Sequence, residues 1–330
     1  MGKGFLKQIT VYIPATLLIF SLVELKAQPS IKIGGYTQTT AIKSEDNKAF
    51  VFGFERVRIG ASGSLNDLTD YKFLVDFVKS ASATGPDGSS PGVINFAQIT
   101  YKPTKKFNFT VGKFKTPLGM EWNTGATSLD IVKRGLGQSF IFHFDVGAMA
   151  TIKEISSSGI RIDAGIFNAG PNKATEIGDP AEGQDYTLVG RIQASPLKAL
   201  SAEASFGTAV TSIDSQKSVN VFGVGAKYKI NSKIQVLAEY LSRSDEMHTS
   251  SDGSSFYVQA GYLVCPRIKP LVKFEKRDVT DDNKDQQDIT IGLNFYLNPQ
   301  NQKEAKIIFN YVHSDVDGAG AIQLLFQGAF

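Results

Sequence analysis

The residues of this 330-residue chain best placed to do chemistry are cations set along alternating segments. Arg56 and Arg58, Lys227 and Lys229, and Lys273 with Arg277 keep even spacings, which in an extended strand put both members on one face. Lys72, Arg161 and Arg191 occupy comparable positions in segments of the same kind. Arginine and lysine rings around water select anions by charge. A second set, Lys115, Lys133 and Arg134, lies in one long insertion, residues 115–141, between two alternating flanks. Covalent chemistry finds no comparable support. His143, His248 and His313 have no partner at zinc-ligand spacing, and neither GxSxG nor HExxH occurs. The expectation is a non-enzymatic protein without catalytic residues, metal or cofactor.

The elements that must carry these side chains are strands. Period-2 alternation gives sixteen candidates: 31–41, 50–61, 71–80, 93–102, 107–114, 143–154, 159–167, 186–195, 200–209, 219–230, 234–243, 255–265, 269–277, 287–297, 304–314 and 320–330. In 159–167, Ile160, Ile162, Ala164 and Ile166 oppose Arg161 and Asp163; in 287–297, Ile289, Ile291, Leu293 and Phe295 oppose Asp288, Thr290 and Asn294. Such alternation suits a sandwich with its apolar face inside, and equally a barrel with its apolar face in lipid.

The connections favour the barrel. Short ones, such as 103–106, 196–199 and 231–233, alternate with long Gly-, Ser-, Asp- and Asn-rich ones, such as 81–92, 168–185 and 244–254. Short turns on one side and long loops on the other characterise outer-membrane barrels. Aromatic residues gather near strand ends, with Tyr71, Tyr101, Phe107, Tyr228 and Phe330 on the short-turn side and Tyr186, Tyr240 and Phe256 on the other. The last strand ends on Phe330. The fold class expected is therefore all-β: a transmembrane antiparallel β-barrel of 16 strands with an inward-folded constriction loop, 115–141.

Residues 1–27 read as a cleaved secretory signal peptide, with Lys3 and Lys7 before an apolar run, Ile9–Phe20, and Ala27 before the cut. About 12 apolar residues are too few to span a bilayer as a helix. Residues 28–330 are the barrel. Cleavage removes Lys3, Lys7, Lys26 and Glu24, so the formal charge falls from +3 to +1. A near-neutral chain gives no argument for nucleic acid as a partner. Cys265, the single cysteine, excludes an intrachain disulfide and is expected in a strand.

The stretch GKFKTPLG (Gly112–Gly119), followed by FDVGAMATIK (Phe144–Lys153), resembles the phosphate-selective porin O and P family of Gram-negative outer membranes. FERVRIGASG (Phe54–Gly63), ITYKPTKKFNFTVGKF (Ile99–Phe114) and GIFNAGP (Gly165–Pro171) extend the resemblance over most of the chain after the signal. It implies a sixteen-stranded trimeric barrel with an inward-folded loop and a basic lumen.

Parity places thirteen basic side chains on the lumen face: Arg56, Arg58, Lys72, Lys102, Lys153, Arg161, Arg191, Lys227, Lys229, Arg243, Lys273, Arg277 and Lys306. Six acids share it: Asp76, Asp145, Asp163, Glu203, Glu239 and Glu275. Pairs such as Arg161 with Asp163 or Lys273 with Glu275 brace a barrel, but six acids do not absorb thirteen bases. In the insertion, strict alternation sends Lys113 and Lys115 outward with Val111, and a bulge at Gly112 would turn them inward. Trp122, the only tryptophan, is expected to anchor the loop on the inner wall, with solute stacking the alternative. These readings converge on an outer-membrane porin for passive diffusion of small hydrophilic solutes, preferring phosphate-like or small organic anions. The alternative is a structural or adhesive barrel with a plugged lumen. Its partners are small anionic solutes, outer-membrane lipid and lipopolysaccharide, and two further copies of the chain in a homotrimer.

Overall fold

The computed structural model describes residues 29–46, 48–78, 94–155, 159–168, 186–210, 218–246, 252–280 and 285–330. The proposed signal peptide, His248 and the greater part of the loops 81–92 and 168–185 lie outside them. Sixteen strands form: β1 Lys32–Ser44, β2 Val51–Asn66, β3 Thr69–Asp76, β4 Ile94–Tyr101, β5 Phe107–Lys115, β6 Phe144–Ile152, β7 Arg161–Phe167, β8 Tyr186–Leu197, β9 Leu200–Val210, β10 Ser218–Lys229, β11 Ile234–Asp245, β12 Gly253–Tyr262, β13 Ile268–Val279, β14 Gln286–Tyr296, β15 Ala305–Ser314 and β16 Ala321–Ala329. Each pairs antiparallel with its neighbours in sequence, and β1 pairs with β16 from Tyr36↔Ala329 to Ser44↔Ala321, closing a barrel. Closure leaves no free sheet edge and rules out the two-layer sandwich.

Burial follows the alternation in a sense opposite to that of a soluble core. Ile289, Ile291, Leu293 and Phe295 of β14 are exposed, while Asp288, Thr290 and Asn294 between them are buried. The large apolar side chains therefore face outward, where lipid surrounds a transmembrane barrel, and the polar ones face in. No helix among the described residues is long and apolar enough to cross a membrane, so the strands are the crossing elements.

Four details differ from the alternation as first read. β2 runs on to Asn66, so only Asp67 and Leu68 separate it from β3. The lumen face then also holds Asp70, Asp245 and Asp288, each aligned with the inward residues of its strand, which makes the positive surplus smaller than parity suggests. Cys265 sits past the end of β12, bridged to Ile268 across the short turn into β13. Gly112 has φ 113°, and a Cβ there would lie 2.1 Å from the Ala97 carbonyl oxygen, yet pairing runs through it without a register shift on either side. The chain is tightened at this point rather than bulged.

The segment joining β5 to β6 is the one long connection described throughout. It contains a single helical turn, α1 (Met120–Asn123), and two 3-10 turns, Ala126–Ser128 and Leu136–Ser139. It also holds the fully buried apolar residues Leu118, Val132, Phe140, Ile141 and Phe142. Phe140, Ile141 and Phe142 pack with Phe167, Val189, Val221 and Leu241, which are inward-facing wall residues. Leu129 and Ile131 pack on Leu271, and Val132 on Ile308 and Leu325. At roughly 1.5–3 kcal/mol per fully buried large apolar side chain, these dry footprints account for the segment leaving water to lie along the inner wall.

Candidate functional site

The loop is held down at both ends and in the middle by inward-facing wall side chains. Glu239 of β11 accepts the backbone N–H groups of Met120 and Glu121, the latter at 3.1 Å. Gly119, at φ 77°, donates its N–H to Ser205 Oγ at 3.2 Å. The Glu121 carboxylate reaches Lys273 Nζ at 3.2 Å and the Gly135 N–H at 2.7 Å, while Glu275 takes Lys273 at 3.1 Å and the Leu136 N–H at 2.8 Å. Further along, Asp130 accepts from Lys269 at 2.6 Å, Asn294 at 3.2 Å and the Tyr296 hydroxyl at 3.3 Å. Lys306 donates to the Thr127 and Leu129 carbonyls, and Asn310 accepts from the Val132 N–H at 2.8 Å. These partners run from β9 to β15, and Gln38 of β1 adds a contact to the Ala126 carbonyl. The loop thus lies along the wall from β7 and β8, through Phe167 and Val189, round to β15, with β2 and β3 on the facing side.

On that facing side the cations gather. Arg56 donates to Gln38 Oε1 at 2.7 Å and lies 3.1 Å from Glu55, the residue left without a cross-strand partner where the β1–β2 register shifts. Arg58 pairs with Asp76 at 2.8 Å and donates to the Tyr36 hydroxyl at 2.7 Å. Lys72 has no carboxylate partner among the described residues; its Nζ sits 3.6 Å from the centroid of the Phe96 ring. Phe96 stacks edge-on to Phe144 at 5.2 Å, and Phe144 to Trp122 at the same distance. Lys115 Nζ and Arg134 Cζ lie 4.7 and 5.4 Å from the Trp122 ring centroid. Both cations otherwise hold carbonyls: Lys115 those of Trp122 and Thr124, Arg134 those of Glu121 and Thr124. After burial, the strongest influences on Lys115 are the charges of Arg134, Arg58, Lys72 and Arg56. Five cations from three strands and the loop therefore share one neighbourhood, along a spine of three aromatic rings.

This arrangement leaves positive charge uncompensated. A carboxylate partner cancels the field of a cation, whereas an aromatic face or a carbonyl holds it through a quadrupole or dipole and leaves the net charge in place. Among the five, Arg56 and Arg58 have carboxylates, Glu55 and Asp76, and Lys115, enclosed by the other four cations, is not counted as a net charge, so two remain, on Lys72 and Arg134. Burial pushes the Arg134 guanidinium down to about 10, against the pull of Glu121 and helped by Arg56 and Arg58. It is therefore protonated at neutral pH.

The other sequence-selected residues fall elsewhere. Arg161 and Arg191 both clamp Asp163 at 2.8 Å, and Arg191 lies 4.0 Å from Glu203. With Lys227 they line a cavity of about 350 Å³ beside α1. Lys229 is exposed at the short-turn end of β10, and Lys133 is exposed on the loop. Arg277 donates to Gln286 at 3.4 Å. Lys273 departs from its expected place on the water-facing wall: it faces inward but is covered by the loop, its side chain 1% exposed between Glu121 and Glu275. Trp122 is buried against His143 and Phe144 and sits within the loop's packing. Lys113 pairs across from Ala97 and Val146, away from the cluster. The loop acids Glu121 and Asp130, which sequence reading left without a role, are its principal tethers.

A family model described as phosphate-selective porin O and P matches residues 23–236. No curated protein matches the chain. Among solved structures, Salmonella typhi OmpF in complex with daunomycin aligns with TM-score 0.65 at 11% identity, over 92% of this chain and 98% of that one. An anion-selective porin from Comamonas acidovorans aligns with TM-score 0.64 at 13% identity, over 92% of this chain and 100% of its own. The trimer form of OmpT from Vibrio cholerae aligns with TM-score 0.61 at 14% identity, over the same shares of the two chains. At these identities the likeness establishes a common fold.

Proposed function

The chain belongs to the phosphate-selective porin O and P family and forms an outer-membrane channel for diffusion of small hydrophilic solutes. From that premise we propose that the channel prefers anions, phosphate-like or small organic ones, and that the 115–141 loop sets this preference by narrowing the passage against β2 and β3. The observation that carries the reading is the cluster of Arg56, Arg58, Lys72, Lys115 and Arg134, in which Lys72 and Arg134 carry charge that no carboxylate offsets. A unit charge about 7 Å away in a water-like dielectric contributes about 0.6 kcal/mol, so two contribute about 1.2 kcal/mol. Screening at about 0.1 M salt roughly halves that, leaving about 0.6 kcal/mol of attraction for an anion and the same repulsion for a cation, about an eightfold preference for anions over cations. A solved relative in fold is itself described as an anion-selective porin.

Charge reversal tests this. Lys72→Glu with Arg134→Glu turns the local surplus of two positive charges into a deficit of two. Reconstituted in planar bilayers, this double variant is expected to pass cations about eightfold in preference to anions. Retention of the wild-type selectivity would remove the cluster from the mechanism.

We extend the proposal to assembly and export. Well-exposed apolar side chains run the length of the β1–β2 pair, from Ile31 and Ile33 at one end to Phe54 and Phe52 toward the other, a surface suited to contacts between copies in a homotrimer. One structural relative is described as a trimer. Residues 1–27 are a signal removed on export, and the long-loop rim meets lipopolysaccharide. Mass measurement of the purified protein, native and denatured, reads both the trimer and a mature chain that starts at Gln28.

A further inference from the structure

The cavity of about 350 Å³ beside α1 lies toward the short-turn end of the barrel and adjoins the cation cluster at Thr124, whose carbonyl Lys115 and Arg134 hold. Its wall carries Arg161, Arg191, Gln193, Glu203 and Lys227, and its roof Asn123 and Thr124 of the loop. The charges here are organised differently from those at the constriction. Arg161 and Arg191 are offset by Asp163 and Glu203. Arg161 spends Nε and one terminal nitrogen on Asp163, and its side chain is the most exposed of the paired wall arginines, at 36%. Lys227 makes no ion pair or hydrogen bond with any described residue. Glu203 is 8% exposed; its Oε2 accepts from Gln193 at 2.7 Å and its Oε1 has no partner.

A buried carboxylate oxygen without a donor is costly. The terminal torsion of glutamate is broad and soft, so a small turn presents this oxygen to a ligand in the cavity. We infer that the cavity is a binding station for a small carboxylate that also carries a hydrogen-bond donor close to its charge, an amino acid or a hydroxy acid. Lys227 and the free edge of Arg161 take the carboxylate, and Glu203 takes the ammonium or hydroxyl. The volume holds a molecule of that size with several waters. The inference rests on the channel reading for how solute arrives, but not for whether it binds.

The test uses three acids of nearly equal size: alanine, lactate and propionate, which place an ammonium, a hydroxyl or a hydrogen beside the carboxylate. Binding is followed by ligand-observed NMR titration of the full-length protein in detergent micelles. Alanine is expected to bind at least tenfold more tightly than propionate, with lactate between them. Glu203→Gln removes most of that ratio, and Lys227→Met weakens all three acids alike. Equal binding of alanine and propionate, or the absence of saturable binding by any of the three, overturns the station. Should Glu203→Gln not fold, the wild-type ratio still decides. A channel that conducts salt but shows no discrimination refutes this inference alone; discrimination in a protein that conducts nothing refutes the channel reading instead.

Discussion

Lys72 and Arg134 show how a half-buried cation is kept in place without a carboxylate. Each is held by an aromatic face, and Arg134 also by main-chain carbonyls, so neither surrenders its field to a carboxylate. Replacing Lys72 by Met removes one of the two uncompensated charges, and the anion preference is expected to fall from about eightfold to about threefold, read from the zero-current potential under a KCl gradient. Titration gives a second check at this scale. Arg134 loses its proton only as the pH rises through about 10, so its contribution is fully present below that value. Selectivity is expected to decline as the pH passes 10, and to do so less in Arg134→Gln; a wild-type decline that Arg134→Gln leaves unchanged would assign the preference to other groups.

At the scale of the element, the loop is a strap across the lumen, tied to the wall by Glu121, Asp130 and the carbonyls around Thr127. Lys273→Met leaves Glu121 and Glu275 buried without their shared cation. Breaking a buried pair from one side costs about 3–5 kcal/mol, enough to detach this part of the loop. The expected result is a larger single-channel conductance with weaker ion preference and a barrel that still assembles. Gly112 tests the frame itself: Gly112→Val forces a branched side chain into φ 113° and onto the Ala97 carbonyl, and is expected to lower the unfolding temperature in detergent markedly.

The same elements show what a sequence reveals and what it conceals. The strands were legible because each carries its own alternation, and the described bounds stay close to the expected ones. The strap's tethers were not legible, because Glu121 and Lys273 lie 152 positions apart and nothing local to either announces the other. Asp70 and Asp245 fell just beyond the expected strands 71–80 and 234–243, so parity did not reach them. The five clustered cations had each been singled out by residue type, but their meeting depends on where a long loop settles. That is decided by apolar footprints such as Leu271 and Ile308, which in sequence resemble any other strand residue.

The whole molecule is a closed wall with apolar residues outward, lined by polar ones and partly covered inside by its own strap. With more inward carboxylates than parity indicated, the lumen as a whole is only modestly basic, and selectivity becomes a property of one narrow place. The account therefore predicts a preference that is local and screenable. Lowering the salt from about 0.1 M to about 0.01 M lengthens the Debye distance from roughly 10 Å to roughly 30 Å, which should strengthen it severalfold. The most direct measurement is the zero-current potential of the wild-type protein in a planar bilayer under a KCl gradient, whose two ions move almost equally fast in water. An anion-selective potential that grows as the salt is diluted is the predicted result; a cation-selective potential, or one near zero at every salt concentration, would contradict it.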